Sequence, residues 1–170
     1  FNCIWMRKDP PFNMDYIFST YMLDLVPTST LVLNDPRAIR NFNEKMYALH
    51  FAEYSPETLV TRELSRARSW AKQYPKVVIK PWDGNGGRGV LVTGHDDPNF
   101  SSMLEILTNN EEQYILVQEY LPEILEGDKR IVLIGGKAVG QMLRIPQKGD
   151  HRGNMHVGAR VEACELTQRE

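Results

Sequence analysis

"IKPWDGNGGRGV", residues 79–90, packs four glycines into the six positions 84–89, just behind a lysine. Gly84, Gly86 and Gly89 satisfy G-x-G-x-x-G literally. That pattern serves a dinucleotide only when a helix follows at once, because the helix N-terminus meets the pyrophosphate. Here Val90-Leu91-Val92 follows, an apolar run that reads as a strand. No G-K-[ST] follows the glycines, so a Walker A loop is excluded. A protein-kinase glycine loop fails on order, since its lysine comes after the loop on a later strand. What remains is strand, glycine turn, strand: a hairpin flap whose bare backbone N–H groups can lie over phosphates. Glycine suits it because a side chain would hold the backbone away from a ligand. An ordinary tight hairpin is the alternative reading.

Lys80 ends the apolar run Val77-Val78-Ile79 and must point to one face of a pleated strand. Its neighbours suggest an interior location, where an ammonium is costly unless an anion meets it. A ligand phosphate would meet it; a lysine snorkelling at a sheet edge is the plainer alternative.

Outward from this stretch, strands and helices mix. Residues 1–6, FNCIWM, read as a short buried strand. Residues 14–25 repeat Ile17, Tyr21 and Leu25 beside Phe18 and Met22, a helix stripe. Thr30–Leu33 reads as a strand, residues 43–53 as a helix capped by Asn43, and 63–74 as a helix ended by Pro75. Strands at 76–80, 90–93 and 114–118 flank a helix at 98–110. Gly135-Gly136 joins strands 129–134 and 137–143 as a two-residue hairpin. Residues 146–158 are polar and glycine-bearing and read as a mobile loop. The fold class is α+β, or mixed α/β, with antiparallel hairpins rather than a regular parallel array. Phe1 stands where an initiator Met would, and Thr167-Gln168-Arg169-Glu170 is a capping box that opens a helix; both suggest a piece of a longer protein.

Composition narrows the classes. With 42% hydrophobic and 25% charged residues, the chain of 170 residues is an ordinary globular sequence. A net charge of -2, without basic blocks, gives no reason to expect nucleic acid or an anionic membrane. Cys3 and Cys164 form no disulfide framework, which suits a reducing cytoplasm, and no apolar run has transmembrane length. His50, His95, His151 and His156 show no metal-ligand spacing and read as polar surface residues.

Val117-Gln118-Glu119-Tyr120-Leu121 leaves a strand for an irregular segment whose free backbone groups could read a base edge. Asp128 and Arg130 share one face of the next strand; a carboxylate suits ribose hydroxyls and a guanidinium suits phosphate. Arg144 and Arg152 flank a loop and could clamp anions, or could belong to a solvated basic surface.

Taken in order, Asn43-Glu44-Lys45, Lys80-Pro81-x-Asp83-Gly84-x-Gly86-Gly87, Gln118-Glu119-Tyr120-Leu121, Gly127-Asp128-Lys129-Arg130 and Arg144-Ile145-Pro146-Gln147 with Arg152-Gly153-Asn154 resemble the ATP-grasp ligases, most closely the bacterial glutathione synthetases. Met6–Phe12 and Pro56–Arg62 resemble them too. The resemblance implies an incomplete ATP-grasp fold: residues 1–42 would end a preceding α/β substrate domain, and 43–170 would begin the ATP-grasp domain. It implies ATP-dependent ligation of γ-glutamylcysteine and glycine through an acyl phosphate, in a cytoplasmic homo-oligomer that is a tetramer in the family.

By the same resemblance, Lys45 and Lys80 would hold ATP phosphates under the flap of Gly84, Gly86, Gly87 and Gly89. Gln118, Glu119, Tyr120 and Leu121 would meet adenine, and Asp128 the ribose. Arg130 and Arg144 would stabilise the transferring phosphoryl group, while Arg152 and Asn154 would shield the intermediate. Arg7 and Asp9 would lie on the peptide-substrate side. The family's Mg²⁺ ligands (Mn²⁺ is the alternative ion) are an Asp and a Glu-x-Asn set expected beyond residue 170, so the segment alone is expected to be inactive. Where the family continues Arg-Gly-Asn with small residues, Met155-His156-Val157-Gly158 stand here. Another ATP-grasp carboxylate–amine ligase, or a nucleotide-binding module without chemistry, are the rival functions.

Overall fold

A computed structural model describes residues 1–168, so the capping-box reading at 167–170 runs into the two residues outside that range. The chain opens with β1 (Cys3–Trp5), α1 (Met14–Asp24) and β2 (Leu31–Leu33). β1 and β2 pair in parallel, from Cys3 opposite Leu31 to Trp5 opposite Leu33. Asn13 caps α1, its side chain accepting from the Tyr16 N–H at 3.1 Å. Asp35 caps α2 (Pro36–Asn41) through the N–H groups of Arg37 and Ala38.

Two expectations are corrected here. The first strand is not buried, with Trp5 64% exposed, because a two-stranded sheet has little interior to offer. The helix at 14–25 forms, but Phe18, Tyr21, Met22 and Leu25 of its apolar stripe are exposed and Thr20 is buried instead. α2 docks on the Thr20 side: Arg40 donates to the Thr20 hydroxyl at 2.9 Å and to Asp24 at 2.5 Å.

The central sheet contains β3 (Thr58–Thr61), β4 (Val77–Pro81), β5 (Leu91–Thr93) and β6 (Ile115–Glu119), ordered β3-β6-β4-β5 and antiparallel throughout. Two helices, α3 (Leu64–Ala71) and α4 (Phe100–Thr108), cover one face. Strand alternation puts Val77, Ile79, Ile115 and Val117 on that face against Ala67, Ala71, Phe100 and Leu104, none more than 3% exposed. Alanine at 67 and 71 lets α3 approach the sheet closely. Burying a side chain such as Ile79 or Leu104 contributes about 1.5–3 kcal/mol. The other face, carrying Thr58, Gln118, Val78, Lys80 and Val92, is left for the site.

β3 is an addition to the sequence reading, which places no element between the helices at 43–53 and 63–74. Its four residues are held by pairing along β6, Thr58 opposite Gln118 through Thr61 opposite Ile115. The helix expected at 43–53 is a 3₁₀ segment, Tyr47–Tyr54, broken at Phe51. Asn43 still caps the turn before it, accepting from the N–H groups of Lys45 at 3.0 Å and Met46 at 3.1 Å.

A second antiparallel sheet joins β7 (Asp128–Ile134), β8 (Lys137–Ile145) and β9 (Arg160–Glu162) in that order. Gly135 and Gly136, with φ of 57° and 76°, make the tight β7–β8 turn. β9 was not anticipated, since one valine between two charges carries no strand pattern. The loop between β8 and β9 contains a 3₁₀ turn at Met155–Val157. Among the described residues, no helix is long and apolar enough to cross a membrane.

Candidate functional site

Lys80 stands next to the last residue of β4 on the open face of the central sheet, and its ammonium donates to Gln118 Oε1 at 2.6 Å. Burial first, and the nearby Lys45 charge second, hold its pKa below that of an ordinary lysine; Glu44 opposes them. Lys45 leaves the Asn43-capped turn and donates to the Gly84 carbonyl and to Glu44, the latter at 3.2 Å. Both ammonium groups therefore stand at the root of the glycine flap. A cavity of about 160 Å³ lies there, lined by Lys45, Lys80, Gly84, Gly86, Gly87 and Asn154 among others. Two ammonium groups crowd each other there and Glu44 offsets them only in part at Lys80, so an anion entering the cavity would relieve the repulsion.

A neighbouring cavity of about 240 Å³ shares Lys80 and Asn154 and runs along the open sheet face. Val78 and Val92 supply its apolar floor; Gln118, Glu119, Tyr120 and Leu121 form one edge and Asp128, Arg152 and Gly153 another. An apolar floor with a polar edge of strand-exit backbone suits a flat base beside a ribose.

The flap and the loop after β8 close on each other. Gly87 has φ of 79°, and a Cβ there would lie 2.7 Å from Asn154 Oδ1. A Cβ on Gly153 would lie 2.7 Å from Asp128 Oδ1. Asp150 organises the loop, accepting from the Arg152 backbone N–H at 3.0 Å and from its guanidinium at 2.9 and 2.7 Å. These hydrogen bonds hold the Asp150 carboxyl well below the usual carboxylate range. The same pairing raises Arg152. His151 Nε2 lies 3.2 Å from the Val90 carbonyl, which pins the loop to the start of β5.

The sequence-derived site residues divide as follows. Lys45, Lys80, the flap residues Gly84, Gly86 and Gly87, Gln118, Glu119, Tyr120, Leu121, Asp128, Arg152 and Asn154 line the two adjoining cavities. Gly89 ends the flap at φ of 69° and lines a larger opening of about 760 Å³ with Asp9, Gly86 and His156. Arg144 does not point free: its Nε donates to Asp128 Oδ1 at 2.9 Å and its Nη2 to Oδ2, so the carboxylate meant for ribose is already partnered. Arg130 is exposed and lines neither cavity. Arg7 lies over the Trp5 ring at 5.3 Å, away from both. His151, read as a surface residue, is half-buried and lines the sheet-face cavity, and the sequence pattern singles out neither Thr58 nor Asp150. Asp150 sits two residues before Arg152, a spacing that could have signalled a side-chain-to-backbone turn; Thr58 had no local signal.

Among the described residues, no group of three or more His, Cys, Asp or Glu side chains could hold an ion.

Residues 44–170 match the family model described as prokaryotic glutathione synthetase, ATP-grasp domain. Residues 1–40 match that of the prokaryotic glutathione synthetase N-terminal domain. The chain belongs to the prokaryotic glutathione synthetase family. The glutathione synthetase of Thermosynechococcus vestitus is 48% identical over 100% of this chain and 54% of its own length. That of Agrobacterium fabrum is 44% identical over 98% of this chain and 52% of its own length. The chain thus spans about half the length of these curated relatives.

Among solved structures, a D-cycloserine synthetase superposes with a TM-score of 0.74 at 14% identity, over 99% of this chain and 62% of that one. D-alanyl-alanine synthetase A of Vibrio cholerae superposes with a TM-score of 0.63 at 15% identity, over 93% of this chain and 52% of that one. At such identities the likeness speaks for the fold alone: an incomplete ATP-grasp fold, α+β in class as expected.

Proposed function

We propose that the protein to which this chain belongs joins γ-glutamylcysteine to glycine, using ATP, in the cytoplasm and as a homo-oligomer. We further propose that residues 1–42 close its substrate domain and 43–170 open its ATP-grasp domain. The break between the two matching family regions, at residues 40 and 44, supports that division.

The observation that carries the reading is the pair of adjoining cavities. Lys45, Lys80 and the glycine flap surround one, and the Gln118–Leu121 edge with Asp128 surrounds the other, so a triphosphate and a nucleoside would lie end to end. A carboxylate is a poor electrophile because its charge repels an amine and no good group leaves. One carboxylate oxygen would attack the γ-phosphorus of ATP, breaking the bond to ADP. The glycine amine would then attack the acyl carbon, and phosphate would leave. This chain's share is positioning and charge neutralisation. Lys45 and Lys80 would hold phosphate oxygens, and the flap would cover them. Arg152 and Asn154 would keep water from the acyl phosphate. Arg144 could serve the phosphoryl group only by releasing Asp128, and Arg130 only if the β7–β8 sheet met the substrate. Mg²⁺ would be held by other parts of the protein.

The test uses full-length protein. ADP release should require both γ-glutamylcysteine and glycine, and Lys80→Ala should weaken ATP binding about 10- to 150-fold, the worth of a charge-assisted hydrogen bond. Full ATP affinity in that variant would defeat the reading. A ligase for a different carboxylate and amine is the second reading. It is favoured by His156, which lines the opening beside the flap where the family carries small residues. Release of ADP with other acceptor pairs, and none with these two, would decide for it. A nucleotide-binding module without chemistry would bind ATP and release no ADP with any pair.

A further inference from the structure

Thr58 has no place in the roles above, yet it anchors a chain of hydrogen bonds that begins at Lys80. Lys80 Nζ donates to Gln118 Oε1 at 2.6 Å. Gln118 Nε2 donates to Thr58 Oγ1 at 2.7 Å, and Thr58 Oγ1 donates to the Pro56 carbonyl at 2.8 Å. Three strands carry the chain, since Thr58 on β3 and Val78 on β4 both sit opposite Gln118 on β6, and Lys80 is two residues beyond Val78 on the same face.

Chemistry dictates the direction of each link. An ammonium offers only donors, so Gln118 must turn its amide oxygen toward Lys80. Its NH₂ group then faces Thr58, whose oxygen must accept. The Thr58 hydrogen is left for the Pro56 carbonyl, which can only accept. Reversing the amide would set donor against donor at Lys80. An amide is also the right acceptor here: a carboxylate at 118 would pair with the ammonium and compete with a phosphate for it.

We propose that Thr58 is a positioning residue that locks the Gln118 amide, so that Lys80 donates one N–H to Gln118 and keeps two for a phosphate oxygen in the flap cavity. This rests on the nucleotide reading of that cavity. Without the hydroxyl, the Gln118 amide is free to turn, and the ammonium loses the contact that aims it.

The experiment measures steady-state kinetics and calorimetric ATP binding on full-length protein. Thr58→Val, which keeps the shape and removes the hydroxyl, raises the KM for ATP about five- to tenfold. Its KM for the peptide substrate stays within about twofold, the scatter expected of an uncoupled site. Thr58→Ser, which restores the hydroxyl, returns the ATP value toward wild type. In a Gln118→Leu background, Thr58→Val adds nothing further, because the link it serves is already gone. An unchanged ATP KM in Thr58→Val overturns the proposal, as does a serine variant no better than valine, or additive effects in the double variant. Thr58→Ala replaces Thr58→Val should the latter not fold, with the same expectations. Wild-type protein that binds no ATP overturns the nucleotide reading and the relay together. Wild-type binding with an unaffected valine variant overturns the relay alone.

Discussion

Lys80 is a cation kept where water is scarce and Lys45 is close, and both facts favour its neutral form. Its folded pKa therefore lies below the value of about 10.4 for an unfolded lysine. In the empty protein this costs stability while the lysine stays protonated, and the cost is relieved as pH rises through the lowered pKa. A phosphate reverses the balance by favouring the ammonium. ATP should consequently bind best below the lowered pKa and weaken as pH climbs through it, taking up a proton in that window. Glu44 and Lys45 face the ammonium from the flap side, and Glu119, Asp128, His151 and Arg152 line the cavity beyond it. The window to examine runs downward from the ordinary lysine value, the direction in which Lys80 is shifted. Calorimetry above neutral pH in two buffers of different ionisation enthalpy measures the uptake. Equal apparent enthalpies in the two buffers, with affinity flat up to the range of a free lysine, would contradict the argument.

At the scale of elements, the site depends on two loops touching: the flap between β4 and β5, and the turn after β8. Gly87 is their contact, with a positive φ and no room for a methyl group beside Asn154. Gly87→Ala should therefore both strain the backbone and push the two loops apart. Strain of about 1–3 kcal/mol is expected, read as a lower melting temperature. The KM for ATP should rise as well, because the flap can no longer settle over the phosphates. A variant with wild-type stability and wild-type KM would show that the loops do not need this contact. The strand, glycine turn and second strand were legible in the sequence because each signal is local: an apolar, β-branched run at Val77–Ile79, then glycines where φ turns positive. Lys80 could be placed on the working face for the same reason. Other parts were not legible. β3 and β9 exist through pairing with β6 and β8, and nothing within "TLVT" or "RVE" announces a partner more than a dozen residues away. The Asp128–Arg144 pair depends on the β7–β8 register, which shifts at Val132 and Leu133 and cannot be counted from the turn. Periodicity disclosed α1 as a helix, but the side it buries was set by Arg40 arriving from α2.

Over the whole molecule, the cations and the carboxylates are differently arranged. Lys45 and Lys80 converge on the flap cavity and Arg152 on the cavity beside it; Glu44 lines the first and Glu119 and Asp128 the second, but among the described residues no three His, Cys, Asp or Glu side chains gather to hold an ion. On the proposed reading, holding a triphosphate and transferring its end are separable tasks, and the ion that the second needs would be held by other parts of the protein. Phosphoryl transfer needs a divalent ion to bridge phosphate oxygens and offset the charge that develops on them. Loss of several kcal/mol of that stabilisation slows turnover by more than about a hundredfold. These 170 residues on their own should therefore bind ATP without turning it over. Binding would appear as a melting temperature that rises with ATP concentration, since a ligand that prefers the folded state stabilises it. ADP release with γ-glutamylcysteine and glycine present should stay at least about a hundredfold below that of the full-length protein. The two readings come from one sample, so the thermal shift certifies that the chain is folded while the ADP assay is silent. Turnover close to that of the full-length protein would mean that residues 1–170 themselves hold the ion, and would overturn the expectation.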